Sequence, residues 1–566
     1  MVQIVERKVD ASACETLIAA GVRPALARLL AARGIHEAGQ LEVSLARLLP
    51  PETLTHNLAM AVLLANAIED GKRIIVVGDY DADGATATAV AVKGLGSLGA
   101  KVDFLVPNRF EYGYGLTPEI VALAATQQPD IILTVDNGIA SVDGVKAAQA
   151  LGIPVLVTDH HLPGDETPDA ACIVNPNQHG CDFASKNLAG VGVMFYVLLA
   201  LRAELRLRGA YADKSEPNLT ELLDLVALGT VADLVKLDDN NRILVEQGLR
   251  RIRAGKCSPG ILALFKVAGR DHAKAGPQDL GFSIGPRLNA AGRLDDMTLG
   301  IACLLEQDAE RAQQMAQQLH ELNQERRSIE ADMQDDALLK LDGIDATGRY
   351  SLSLFESGWH QGVIGILASR IKEQFHRPVI AFAEAGDGMI KGSGRSIPGL
   401  HLRDALDLVS KRQPGLLVKF GGHAMAAGLS LRQVDFARFA HEFESVVASL
   451  LTPEQLEAVI EVDGALPAED FALEMAQSLE RQVWGQGFPP PLFIDEFRVV
   501  GQRIVGERHL KLSLEKAGRV LDAIFFRQEA LLPESISAVY QLQVNEFRGV
   551  KSVQLCLQHW QAPTSR

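Results

Sequence analysis

Five short apolar runs, each separated from the next by a stretch long enough for a helix or a wide turn, constrain this chain more than any other feature. They are RIIVV (73–77), VDFLV (102–106), IILTV (131–135), PVLVT (154–158) and CIVN (172–175). Runs of four or five β-branched and aliphatic residues have strand length. Three of the intervening segments, TATAVAVKGLGSLG, PEIVALAATQ and SVDGVKAAQALG, carry the spacing of amphipathic helices. Strands alternating with helices at this interval predict βαβ units and a mainly parallel sheet buried on both faces. The body up to about residue 300 therefore reads as α/β.

The rest of the chain divides around that body. Residues 1–60 read as helices apolar on one face, ahead of an α/β body at 61–305. From Glu306 to Leu341 there is neither Gly nor Pro, and Met315, Leu319, Leu322, Ile329, Met333 and Ala337 recur at helical steps or multiples of them. That predicts one connecting helix over 306–341, about 54 Å long at 1.5 Å per residue. Its other face is charged, so the sequence predicts a spacer between two lobes. DGIDATGR then reads as the turn into a mixed α/β lobe at 342–450. Between 455 and 566, FRVVGQRIV, HLKLSLEK, LDAIFF, AVYQLQVNEF and SVQLCLQHW predict a small β-barrel of OB-like type.

Charge and cysteine usage narrow the setting. The formal net charge is −16, yet Arg498–Arg566 carries 10 basic and 6 acidic residues, so a mildly basic tail sits on an acidic body. A polyanionic partner is compatible with that split. Six scattered cysteines without a C-x-x-C pair predict reduced thiols and exclude a zinc ribbon. No apolar run is long enough to span a bilayer and the start has no secretory pattern, which predicts a cytoplasmic protein.

The chemistry concentrates at the ends of the predicted strands. Gly78-Asp79-Tyr80-Asp81-Ala82-Asp83-Gly84 follows RIIVV, and in an extended chain Asp79, Asp81 and Asp83 would share one face. Three such carboxylates repel one another unless a cation neutralises them. Asp136 follows the strand IILTV; Asp159, His160 and His161 follow PVLVT; Asp233 ends a largely apolar segment. In open parallel sheets, ligands bind outside the carboxyl ends of the strands. Oxygen donors with imidazole suit Mg²⁺ or Mn²⁺. So many anionic donors predict two cations about 3.5–4 Å apart, an arrangement that drives displacement at phosphorus. Asp136 is the expected bridge between them.

GDYDADG, TVDNG, TDHH and VADL, in this order, resemble the DHH phosphoesterase superfamily. SGRS (Ser393–Ser396) and FGGHAMAAGLSL (Phe420–Leu431) resemble its accessory DHHA1 domain. NRFEYGYGL (Asn108–Leu116) and GPRLNAAGR (Gly285–Arg293) resemble the bacterial single-stranded-DNA-specific 5′→3′ exonucleases of that superfamily. The resemblance implies metal ligands at Asp81, Asp83, Asp136, His160 and Asp233. It leaves Asp79 as an auxiliary ligand and His161 as a contact to the scissile phosphate, a proton donor or a brace for His160. It implies that Arg109, Ser393, Arg395 and His423 face phosphate and that Asn289 and Arg293 contact the nucleotide. Tyr112 and Tyr114, beside Phe110, could stack bases without reading sequence.

What the resemblance implies as a whole is a two-metal exonuclease, dependent on Mn²⁺ or Mg²⁺. It would release 5′-mononucleotides from single-stranded DNA in recombination and repair. A DNA helicase and single-strand binding protein are the expected partners, and the chain is expected to be a monomer.

Overall fold

The computed structural model describes residues 2–108, 112, 115–341, 348–506 and 508–563. These form two compact units, one built from Glu6–His320 and Glu461–Arg566, the other from Met1–Val5 and Glu321–Ile460. All six cysteines are free thiols. Among the described residues no helix is long and apolar enough to cross a membrane.

A short strand, β1 (Val2–Glu6), opens the chain. The larger unit is centred on β2 (Arg73–Gly78), β3 (Lys101–Leu105), β4 (Ile131–Val135), β5 (Val155–Thr158) and β6 (Cys172–Val174). They lie in the order β3-β2-β4-β5-β6, and every neighbouring pair is parallel. The five runs read from the sequence are these five strands. β4, β5 and β6 are buried along their whole length, as expected of a sheet covered on both faces. On one face, Ile75, Val77, Ile132 and Val157 pack with Ile120, Val121 and Val145 of the two crossover helices Pro118–Ala125 and Val142–Ala150. Because all five strands run the same way, their carboxyl ends line one edge.

The second unit holds a mixed sheet of β7 (Leu352–Phe355), β8 (Val379–Glu384), β9 (Met389–Arg395), β10 (Lys419–Gly422) and β11 (Ala426–Arg432). Its order is β10-β11-β9-β8-β7, with only the β7–β8 pair parallel. A further strand, β12 (Ala458–Val462), pairs with β1. β13 (Phe493–Val505), β14 (His509–Lys516), β15 (Arg519–Phe526), β16 (Ser535–Phe547) and β17 (Val550–Gln561) close into a barrel. Phe493, Leu512, Tyr540 and Leu555 fill it, and Ala25 and Leu29 of the N-terminal helix Pro24–Ala31 join the same core.

The long helix runs from Ala309 to Leu341, about 50 Å. Its start lies three residues later than expected, because Asp308 accepts hydrogen bonds from the Glu310 and Arg311 N–H groups and caps it. The buried stripe also differs from the apolar one read in the sequence. It runs through Ala312, Ala316, Leu319, Asn323, Arg326, Glu330, Met333 and Ala337, while Met315, Leu322 and Ile329 flank it half-buried. Three polar residues occupy its middle because they satisfy one another. Arg326 bonds Asn323 at 2.8 Å and pairs with Glu330, whose other oxygen takes Arg370 at 2.8 Å.

Candidate active site

Asp79, Asp81 and Asp83 converge by a different route from the extended face the sequence predicts. β2 ends at Gly78 and the chain turns directly into the helix Ala82–Ser97. Asp81 is the N-cap of that helix, its Oδ1 accepting from the Gly84 N–H at 2.9 Å, and Asp83 lies in the first turn. Gly84 is required there, since a Cβ would stand 2.5 Å from the Asp79 carbonyl oxygen. Asp136, directly after β4, adopts the left-handed backbone conformation, φ 61°, with its N–H held by the Thr158 carbonyl.

Asp83 and Asp136 are almost completely buried. The first two N–H groups of the helix Gly190–Leu207 hold Asp83, from Gly190 to Oδ2 at 2.6 Å and from Val191 to Oδ1 at 3.0 Å. Gly190 also lets Asp136 approach, because a Cβ there would lie 2.5 Å from the Asp136 Cβ and Oδ1. His160 Nε2 lies 3.1 Å from Asp136 Oδ1, 3.6 Å from Asp233 Oδ2 and 3.9 Å from Asp83 Oδ2. Asp233 reaches this cluster from the C-cap of the helix Leu223–Ala232, so it is a helix-terminal acid and a member of the site together. Burial, reinforced by the charge of Asp81, pushes Asp83 up to about 7. Burial and the surrounding carboxylates push Asp136 and Asp233 up as well.

Asp159 organises the histidines. Its Oδ1 accepts from the His160 N–H at 2.7 Å, the His161 N–H at 3.1 Å and His161 Nδ1 at 2.8 Å, and its Oδ2 accepts from Ile139 N–H at 2.9 Å. Burial alone would lower the His161 pKa, but the hydrogen bond and charge of Asp159, with Asp233 and Asp79, raise it to about 9. A hydrogen bond at Nδ1 fixes the ring and leaves Nε2 as the nitrogen for chemistry.

The NAAGR segment lies in the helix Gly285–Leu294, not in a loop. Asn289 Oδ1 accepts from the Ala82 N–H at 2.8 Å, between Asp81 and Asp83, so that atom is engaged with the protein. A Cβ at Gly292 would meet the Tyr80 carbonyl oxygen at 1.9 Å. This helix therefore braces the acidic turn from outside. Arg293 is half-buried in its last turn.

In the second unit, Ser393 and Arg395 both lie on β9, where Arg395 Nη1 bonds Ser393 Oγ at 3.2 Å and the Gly394 carbonyl at 2.8 Å. Both side chains lie against Gly365 in the first turn of the helix Ile364–Phe375, whose Cβ would stand 2.9 Å from Ser393 Oγ and Arg395 Nη2. Exposed His423 follows β10, and its N–H bonds the carbonyl of Ala426, the residue paired with Arg395. A guanidinium beside a helix N-terminus is suited to an anion. Tyr112 is half-buried against the core of the parallel sheet. Arg109, Phe110 and Tyr114 lie outside the described residues.

Sequence reasoning missed Gly190, Val191 and Gly365. Their only signal is a glycine at the start of an apolar helix.

The DHH family N-terminal domain matches residues 73–230, the DHHA1 domain residues 348–449 and the RecJ OB domain residues 462–559. The single-stranded-DNA-specific exonuclease RecJ of Escherichia coli is 52% identical over 570 residues, covering 98% of both chains. The chain belongs to the RecJ family. Thermus thermophilus RecJ in complex with Mn²⁺ superimposes with a TM-score of 0.84 at 31% identity, over 100% of this chain and 80% of that one. Its Mg²⁺ complex does so with 0.78 at 30% identity, over 100% and 78%.

The donors here fit the divalent cations of those RecJ complexes. Three groups, Asp136–His160–His161, Asp83–His160–Asp233 and Asp79–Asp81–Asp136, each bring their donor atoms within 4.8 Å of one another. All are carboxylate oxygens or imidazole nitrogens, the donors Mn²⁺ and Mg²⁺ accept. Buried carboxylates whose pKa values rise through mutual repulsion are stabilised by a cation among them.

Proposed function

We propose that this chain is a metal-dependent 5′→3′ exonuclease specific for single-stranded DNA, releasing 5′-mononucleotides by phosphodiester hydrolysis. The observation that carries this reading is the overlap of three donor groups on Asp136 and His160 at the carboxyl edge of a parallel sheet, in a RecJ-family chain. Asp81, Asp83, Asp136, His160 and Asp233 would hold two divalent cations, with Asp136 common to both and Asp79 auxiliary. Bound there, the cations supply an activated water and neutralise charge at phosphorus.

The chain's own groups do the rest. Asp159 fixes the His161 ring so that Nε2 can hold a proton for the leaving oxygen or bond the scissile phosphate. Arg395, Ser393 and the first turn at Gly365 bind a phosphate, with His423 beside them. Arg109, Arg293 and Tyr114 complete the strand contacts. The barrel holds single-stranded DNA. The setting is DNA recombination and repair in the cytoplasm, as a monomer working with a helicase and single-strand binding protein.

Digestion of 5′-labelled single-stranded DNA beside the matching duplex, in Mn²⁺, tests the reading. Mononucleotides from the single strand alone, lost in Asp136→Ala, are expected. Equal digestion of duplex, or activity persisting in Asp136→Ala, would overturn it.

A further inference from the structure

A cavity of about 470 Å³ opens in the larger unit, away from the acidic centre. Its walls are helix ends and the turns beside them. Lys93 and Ser97 come from the last turns of the helix Ala82–Ser97, and Arg251 from the last turn of Asp239–Arg253. Lys256 follows that helix, Ser258 caps the helix Pro259–Val267, and Asn218 caps the turn Leu219–Leu222.

The separation from the metal centre follows from helix geometry. Lys93 lies ten residues beyond Asp83 on one helix, about 15 Å along its axis. Leu222, in the cavity wall, directly precedes the helix whose C-cap is Asp233, about 16 Å away. The cavity thus sits at the far ends of two helices that carry members of the acidic cluster.

Its charge is mostly positive. Lys93, Arg251 and Lys256 line it against one acid, Glu221. Behind them, buried Asp224 takes the Ser258 N–H at 2.7 Å on Oδ2, and its Oδ1 has no hydrogen-bond partner. Arg250 and Arg253, on the same helix as Arg251, both pair with Glu246. Arg251 makes no salt bridge among the described residues and its Nε is buried without a hydrogen-bond partner, although the charge of buried Asp224 acts on it and on Lys93. Lys93 donates to the Leu304 carbonyl, at 3.1 Å. Guanidinium and ammonium groups converging on a cavity of this size suit phosphoryl oxygens. No lining residue is aromatic, so nothing is set to stack a base.

We propose that this cavity is a second anion site, taking a small phosphorylated ligand through Lys93, Arg251 and Lys256. The phosphate could belong to a free mononucleotide or to the end of a strand, and recognition of either rests on the phosphoryl group.

Inorganic pyrophosphate, titrated calorimetrically into the full chain in EDTA, tests the site. Arg395→Ala removes the guanidinium of the phosphate contact proposed above, and one equivalent is expected to remain bound in that variant and in Asp136→Ala alike. Lys256→Glu and Arg251→Ala should each weaken binding about tenfold or more, the effect of removing a charged hydrogen-bond donor. Lys256 is exposed, so its replacement leaves the core intact. No binding to wild type, undiminished binding to both Lys256→Glu and Arg251→Ala, or loss in Arg395→Ala or Asp136→Ala instead would overturn the proposal. Displacement by dAMP assigns the site to free mononucleotide; displacement only by a 5′-phosphorylated oligonucleotide assigns it to strand ends. Either displacement supports the site.

Discussion

Asn289 Oδ1 and the Ala82 N–H lie 2.8 Å apart although 207 residues separate them in the chain, and the bond falls between Asp81 and Asp83. Asn289 therefore positions the acidic turn. Asn289→Ala removes the acceptor and leaves a half-buried N–H unsatisfied, worth about 1–3 kcal/mol. Mn²⁺ affinity should fall by about ten- to hundredfold. Isothermal titration with Mn²⁺ beside steady-state kinetics checks this. A raised KM for DNA with unchanged Mn²⁺ affinity would instead make Asn289 a nucleotide contact.

Asp136 belongs to two of the three donor groups, whereas Asp233 belongs to one. Asp136→Ala is therefore expected to lose both cations and Asp233→Ala one. Metal content by plasma mass spectrometry after equilibration with Mn²⁺ gives the counts. Two ions retained in Asp136→Ala would remove it as the bridge.

Much of this arrangement was legible because hydrophobic runs of strand length leave few alternatives. The five central strands and the five barrel strands follow from that signal. The acids at strand ends follow from the sheet being parallel. What was not legible depends on contacts between distant segments. The acidic turn becomes a helix start because Gly84 packs on the Asp79 carbonyl and Asn289 holds Ala82. The first contact lies within GDYDADG itself, but nothing in that run specifies Asn289. The buried face of the long helix was misplaced because Asn323, Arg326 and Glu330 are polar, and only their mutual pairing allows burial.

The charged groups set the pH response of the metal-free protein. Asp83 holds its proton up to about pH 7 when folded, against an ordinary 3.8, and His161 up to about 9, against 6.5. In both cases the folded state binds more protons than the unfolded one. Stability then falls as pH rises through this range, with Asp136 and Asp233 acting in the same sense and His376 and His559, lowered by burial, in the opposite one. Asp159, lowered by His161, acts only below the ordinary carboxylate range and does not oppose the trend. The melting temperature in EDTA should fall between about pH 5 and pH 8, and saturating Mn²⁺ should flatten or reverse the slope because binding displaces protons. Calorimetry with and without Mn²⁺ decides; a rising metal-free curve would contradict the assigned shifts.

Gly190 separates folding from metal binding. Its N–H holds Asp83 at 2.6 Å, and alanine keeps that donor and is the better helix former. The added Cβ, however, would stand 2.5 Å from the Asp136 Cβ and Oδ1 and 2.7 Å from its Cγ. Asp136 cannot yield easily, being buried with its N–H fixed by Thr158. Overpacking of this kind costs about 1–3 kcal/mol, so Gly190→Ala should still fold, with a modestly lower melting temperature. Displacement of Asp136 should weaken Mn²⁺ binding more than about tenfold, since it removes a charged ligand from both cation positions. Mn²⁺ titration and a thermal melt on the same sample separate the two effects. A variant that melts lower yet binds Mn²⁺ as tightly as wild type would show that Asp136 relaxes away from the intruding methyl without losing its place among the ligands.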